Sequence, residues 1–292
     1  MPEILRPPLQ LAACFDDLRG EQHVREALFT ERQRREREYY EEYSTLTAPA
    51  EVCFDPVLGR ERRPWNPYWF LCDSVAARFR SSQQRLLDFG CGPGIYSVIF
   101  GKVGYEVFGF DISPNNVALA RQLAEKYTLS ETVNFTVGTA ERIGYPDEYF
   151  DIVVGIDILH HVDIAHSVKE CLRVLKRGGT AFFKEPVAAA VFDPIRNSAL
   201  GRLLIPKTAS LERHITQDER KLTACDLQTI KELCPEISVK RFRLFSRVDA
   251  FNKRLAANGR PSAIEKFDER VFQLLPFMKT FSGDVVISLK KA

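Results

Sequence analysis

Three glycines at alternate positions end the run Leu86-Leu-Asp-Phe-Gly-Cys-Gly-Pro-Gly94, with Asp88 just ahead of them. Glycine in this spacing after a short apolar strand lets the backbone turn sharply and approach a ligand at distances a Cβ would block. A second apolar run, Val107-Phe-Gly-Phe-Asp111, ends in a carboxylate 23 residues after Asp88, the length of one helix and a return strand. At the end of the strand beside the glycine turn, Asp111 can accept hydrogen bonds from a ribose diol. Farther on stand Asp157, His160 and His161, and Glu185 closes another apolar run. An imidazole titrating near pH ~6.5 can take a proton from a hydroxyl at neutral pH, which makes His160 or His161 the leading general base. Glu185 is the second candidate, and His214, beside Arg213 and Glu212, is a third that lies in a long connection.

The spacing excludes two phosphate-binding patterns. A dinucleotide loop requires Gly-x-Gly-x-x-Gly, whereas here the third glycine arrives one residue early and Ile95 holds its place. No Gly-Lys-Ser/Thr follows, so the loop is not of the Walker type. The elements that must position these groups alternate: strands at 86–89, 107–111, 133–137, 150–156 and 180–184 are separated by helices at about 96–103, 115–127 and 164–176. That alternation predicts an open, doubly wound α/β sheet. Ser113 suits the N-cap of the second helix because Pro114 suits its first position. Gly178 and Gly179 read as the C-terminal cap of the third helix.

Asp88-x-Gly90-x-Gly92-x-Gly94 resembles motif I of the class I S-adenosylmethionine-dependent methyltransferases. The later segments, Gly138-Thr-Ala-Glu141, Asp157-Ile-Leu-His-His161 and Lys176-Arg-Gly-Gly179, follow in that family's order over about residues 85–185. The resemblance implies a Rossmann-like, seven-stranded, mostly parallel sheet with helices on both faces, its last two strands paired antiparallel at one edge. It implies S-adenosylmethionine as cofactor and S-adenosylhomocysteine as product, held by Asp88, Gly90, Cys91, Gly92 and Gly94, by Asp111 and Ile112, and by Asp157. Ala140 matches the small residue against the adenine ring, and Thr139 stands where the family carries an acid. Tyr39 and Tyr43, four apart on a helix before the loop, match the aromatic residues with which such a helix closes over the cofactor. The stretch Asp157-x-x-His160-His161 is faintly similar to the acidic cluster by which some quinone-pathway O-methyltransferases hold a divalent metal. Imidazole replaces a carboxylate here, and no metal is expected.

Four parts follow along the chain: an N-terminal helical lid (1–80), the cofactor-binding core (81–185), a substrate-lid insertion (186–236), and the sixth and seventh strands with a helical insertion between them (237–292). The lid holds the charged helix at 31–43 and the aromatic turn Arg63-Pro-Trp-Asn-Pro-Tyr-Trp-Phe70. The sixth strand is expected at 238–245 after a helix at 223–233, and the seventh at 284–289 after a helical stretch at 262–280. A net charge of +2, from 41 basic and 39 acidic residues, leaves no footprint for nucleic acid. No run approaches the length of a membrane span and no leader is recognisable, so a cytoplasmic protein without stable membrane insertion is expected, monomeric or homodimeric. Seven scattered cysteines without a Cys-x-x-Cys pair indicate neither disulfides nor zinc. The reading is methyl transfer to a small-molecule acceptor, most readily an oxygen, by in-line displacement with a His or carboxylate base. N- or C-methylation, or an inactive cofactor-binding adapter, is the alternative.

Overall fold

The computed structural model describes residues 29–45, 51–188, 220–246 and 263–292. Seven strands form one sheet: β1 (Arg85–Phe89), β2 (Glu106–Asp111), β3 (Val133–Val137), β4 (Phe150–Ile156), β5 (Leu175–Pro186), β6 (Ile237–Phe242) and β7 (Asp284–Lys290). Their order across the sheet is β3-β2-β1-β4-β5-β7-β6. The first five strands pair in parallel, and β7 runs antiparallel to both β5 and β6. The expected architecture is therefore present.

The helices of the described residues are α1 (Glu31–Thr45), α2 (Asp55–Leu58), α3 (Pro67–Ala76), α4 (Ile95–Val103), α5 (Pro114–Lys126), α6 (Ile164–Val174), α7 (Ala224–Leu233) and α8 (Ala263–Leu274). No helix among the described residues is long and apolar enough to cross a membrane. Alternation along the strands builds two cores, one per face. Leu87, Phe89, Val153 and Phe183 face one side, where α6 and α7 contribute Val168, Cys171 and Ile230. Leu86, Ile152, Val154 and Phe182 face the other, under Leu71, Val98, Phe100 and Val117.

Local chemistry sets the helix ends. Ser113 caps α5 by accepting the Asn116 N–H, with Pro114 in the first turn. Thr223 and Asp226 form a reciprocal capping box on α7. One expectation is corrected. Helix α6 ends at Val174, and the chain turns straight into β5 at Leu175, so Gly178 and Gly179 do not cap a helix. Phe150 pairs with Leu175 but Ile152 pairs with Thr180, so β5 carries three extra residues at this step. Gly178, at φ 75°, turns the excess out, and its N–H donates to the Lys291 carbonyl. A bulge and a helix cap need the same left-handed backbone, and either can use glycine.

Candidate cofactor and acceptor site

All three loop glycines have positive φ: 74° at Gly90, 51° at Gly92 and 82° at Gly94. Their surroundings differ. A Cβ on Gly90 would meet the Ile158 side chain at 2.6 Å, and one on Gly94 would meet Ala120 Cβ at 2.7 Å, so both serve the chain's own packing. A Cβ on Gly92 would meet nothing within 4 Å, and this is where the backbone opens onto a cavity. The cavity, about 210 Å³, lies outside the carboxyl ends of the parallel strands, the position that open α/β sheets use for ligands.

Among the described residues four carboxylates line it, from Glu36, Asp111, Glu141 and Asp157, with the His161 imidazole but no lysine or arginine. Asp111 holds the glycine turn in place: one oxygen accepts the Gly92 N–H at 2.9 Å, the other the Ser113 N–H at 2.9 Å and the Asn116 amide at 3.2 Å. Burial pushes its carboxyl up, against those hydrogen bonds. The sequence leaves Asp111 free for a ligand, whereas both of its oxygens already accept protein donors. A carboxylate offers about four lone-pair sites, so capacity remains. Ile112, Thr139 and Ala140 also line the cavity, next to Gly138.

Asp88 lies below the loop, away from the cavity wall. It is buried, and its Oδ2 accepts the Ser97 hydroxyl of α4 at 2.5 Å. Burial pushes its carboxyl up to about 7, opposed by the Ser97 bond and assisted by the charge of Asp111. Cys91 is also buried, with its thiol held well above the ordinary range by burial and by the two nearby aspartates. It fills space and is no nucleophile.

The histidine pair divides by role. His160 Nδ1 lies 2.7 Å from Glu185 Oε2, and Glu185 Oε1 accepts the N–H groups of Ile158 and Leu159 at 2.9 and 2.8 Å. Glu185 is fully buried. It therefore fixes the turn Leu159–His161 and does not face the cleft, which corrects its expected place. His160 stands off the cavity wall. His161 is on that wall, with Nε2 3.1 Å from the Tyr40 hydroxyl and Nδ1 3.2 Å from Glu36 Oε2.

These last contacts come from α1. Gln33, Glu36 and Tyr40, spaced by three and four, form the face of α1 turned to the cavity, and the Gln33 amide donates to Glu141 at 2.8 Å. The expected Tyr39 is instead packed edge-on against the Tyr40 ring, 5.2 Å between centroids. The side chain of Tyr43 and the whole of His214, Arg213 and Glu212 lie outside the described residues.

Asp157, at φ 55°, accepts the Tyr68 hydroxyl on Oδ2 at 2.9 Å and the Lys184 ammonium on Oδ1 at 2.7 Å. Lys184 also lies 2.9 Å from Asp284, which lies 3.3 Å from Arg243. Burial alone would lower the Lys184 ammonium, yet Tyr68, Asp284 and Asp157 together hold it above the ordinary lysine value. Tyr68 belongs to the aromatic turn at 63–70, but nothing in the sequence pairs its hydroxyl with Asp157 or marks Lys184.

Residues 87–183 match the family model described as a methyltransferase domain. A ubiquinone biosynthesis O-methyltransferase of Cereibacter sphaeroides is 30% identical over 161 residues, covering 47% of this chain and 64% of the relative. One of the same name from Sinorhizobium fredii is 34% identical over 153 residues, covering 48% and 61%. The alignments thus span less than two thirds of these curated relatives. Among solved structures, the [4+2]-cyclase SpnF superposes with a TM-score of 0.56 at 20% identity, covering 90% of this chain and 97% of its own. The geranyl diphosphate C-methyltransferase from Streptomyces coelicolor A3(2) gives 0.55 at 13%, covering 90% and 99%. At these identities the structural likeness is one of fold.

Proposed function

Since residues 87–183 belong to the class I S-adenosylmethionine-dependent methyltransferases, we propose that the chain as a whole transfers a methyl group from S-adenosylmethionine to an oxygen of a small-molecule acceptor. The observation that carries this reading is the charge of the cavity: among the described residues, four carboxylates and no lysine or arginine line it around a backbone left open at Gly92. Such a lining favours a ligand bearing a sulfonium and an ammonium, and disfavours the pyrophosphate of a dinucleotide. The names of the relatives favour oxygen over nitrogen or carbon as the acceptor atom.

The residues present fit the cofactor. Gly90 and Gly92 would bring backbone against it, Asp111 has lone pairs left that would accept from its ribose, and Thr139 and Ala140, also on the cavity lining, would border its adenine. Helix α1 covers the cavity through Gln33, Glu36 and Tyr40, attached at Glu141 and at His161. When bound, the sulfonium supplies an activated methyl with a neutral leaving group, so the protein's task is alignment and control of the acceptor proton.

Isothermal titration calorimetry of the full chain tests the reading. Saturable binding of S-adenosylmethionine and S-adenosylhomocysteine, with none of NAD, is expected. Binding of NAD in preference would overturn it, as would no binding of either cofactor form. Formation of S-adenosylhomocysteine with a hydroxylated acceptor, and none when that hydroxyl is already methylated, separates O-transfer from N- or C-transfer and from an inactive adapter.

A further inference from the structure

Helix α8 and the 3₁₀ turn that follows it, Pro276–Phe281, belong to the insertion between β6 and β7, and the helix is anchored by its inner face. Asp268 is buried there and accepts the N–H groups of Leu244, Phe245 and Ser246 at 2.8, 2.9 and 3.0 Å, with Phe272 buried one turn farther on. Glu265 accepts the Asn66 amide at 2.9 Å, which ties the same helix to the start of α3. The outer face carries apolar side chains instead. Phe267 and Leu274, seven apart, lie on one line of the helix and are 54% and 80% exposed, and Leu275 and Phe277 continue the patch into the turn, Phe277 at 63%. Phe245, beyond the end of β6, lies against Phe267 with 5.8 Å between ring centroids. A lone exposed leucine is ordinary, whereas five large apolar side chains gathered on one insertion mark a surface that meets something.

We propose that this insertion docks the protein on an anionic lipid bilayer, with Phe267, Leu274 and Phe277 entering the acyl boundary while Lys266, Arg270 and Lys279 meet the headgroups. Charge selects this occupant. Within 263–281 the exposed charged residues are Lys266, Arg270 and Lys279, and all three are basic. The acids of the same stretch are withdrawn: Asp268 is buried, Glu265 is half-buried on Asn66, and Glu269 is half-buried and attracts Lys240. Glu61, which also acts on Lys266, is held by Arg63 at 3.0 Å. A two-fold contact with a second copy of the chain would bring these cations against themselves, whereas an anionic bilayer offers them charge of the opposite sign and the leucines and phenylalanines an apolar phase.

The mode of attachment follows from length and position. At 12 residues α8 is too short to cross a bilayer, so it lies in the interface with its outer face down. Asp284, where β7 begins, pairs with Pro186 at the end of β5, so the turn Pro276–Phe281 leads into the end of the sheet that carries the cavity. The docking surface and the cavity therefore share one end of the molecule. The inner anchors Asp268 and Phe272 keep α8 on the fold while its outer face is engaged, so docking requires no unfolding of the insertion.

Co-sedimentation of the full chain with vesicles tests the proposal, using phosphatidylcholine alone and an equal mixture of phosphatidylcholine and phosphatidylglycerol. Binding to the mixed vesicles should be at least tenfold tighter than to the neutral ones, and should weaken as salt is raised. Leu274→Ser with Phe277→Ser should weaken it at least tenfold, as should Arg270→Glu with Lys279→Glu. Both pairs of side chains are exposed, so an unchanged thermal midpoint is the check that each variant folds. Failure of the wild type to bind the mixed vesicles overturns the proposal, as does equal binding to both kinds of vesicle. Wild-type binding by either folded double variant also overturns it. A lipid-free dimer that Leu274→Ser with Phe277→Ser dissociates would do the same, by assigning the face to a second copy of the chain. None of these outcomes depends on the methyltransferase reading.

Discussion

The two walls of the cavity are built on opposite principles. The wall at the β1–α4 turn presents backbone: its glycines come from one short stretch, and the nearby ionisable side chain, Asp88, is tucked underneath. The wall at the ends of β4 and β5 is lined by Asp157, which is held from behind by Tyr68 and Lys184, and Lys184 in turn by Asp284 and Arg243, charges drawn from distant segments and balanced against one another. The first wall is sensitive to an added carbon atom, and the charge beneath it, on Asp88, is opposed by burial. The second is sensitive to a lost charge and would accept many changes of shape.

Removing the central cation should break the second wall most severely. Lys184→Met leaves Asp157 and Asp284 close together without their shared partner, at a cost of about 4 kcal/mol by urea denaturation. On the first wall the largest effect is expected from Gly94→Ala, where the new methyl meets Ala120 at 2.7 Å on a backbone at φ 82°, costing about 3 kcal/mol in the same assay.

Asp88→Asn should act in the other direction. The native carboxyl is held up to about 7, above its unfolded value near ~4. As pH rises between these values the unfolded chain loses its proton first, so wild-type stability declines across that window. The amide variant should lack that decline and be about 4 kcal/mol more stable than wild type at pH 8 relative to pH 4, measured as denaturation midpoints at the two pH values. Gly92→Ala should be the mildest for folding, about 1 kcal/mol for the left-handed backbone alone, since nothing crowds its Cβ. Its signature is a weakened affinity for S-adenosylmethionine in calorimetry, because the added methyl points into ligand space. Equal effects of Gly92→Ala and Gly94→Ala on stability would erase the distinction drawn within the first wall.

The contrast also explains what could be read from the residues in order. The glycine turn, Asp111 and the five parallel strands depend on neighbours close in the chain, and β3 and β4 fall where periodicity puts them. Tyr40 is legible from spacing, since Gln33, Glu36 and Tyr40 share a helical face, but the aromatic pair Tyr39/Tyr43 has the same spacing and points to a different face. Lys184 and Glu185 show the limit. Adjacent strand residues point to opposite faces, so only one of them turns toward Tyr68 and Asp157, and the other turns toward His160. Which one does so depends on Tyr68 and Asp284, each some hundred residues away. Gly178 was misplaced because helix cap and bulge demand the same φ, and only the pairing of Phe150 with Leu175 distinguishes them.

The position of β7 has a consequence for how the protein is made. Although it follows β6 in the chain, it lies between β5 and β6 and supplies the pairing of both. On the ribosome, β6 therefore leaves the exit tunnel with no partner in the sheet, and the open edge of β5 waits until β7 has also emerged. The glycine-turn half can assemble early from sequential strands, while Asp284, at the start of β7, brings its carboxylate to Lys184 last. The strand that joins the edge strand to the rest of the sheet is thus made after both of its partners, and its emergence is the step at which the charged wall becomes complete.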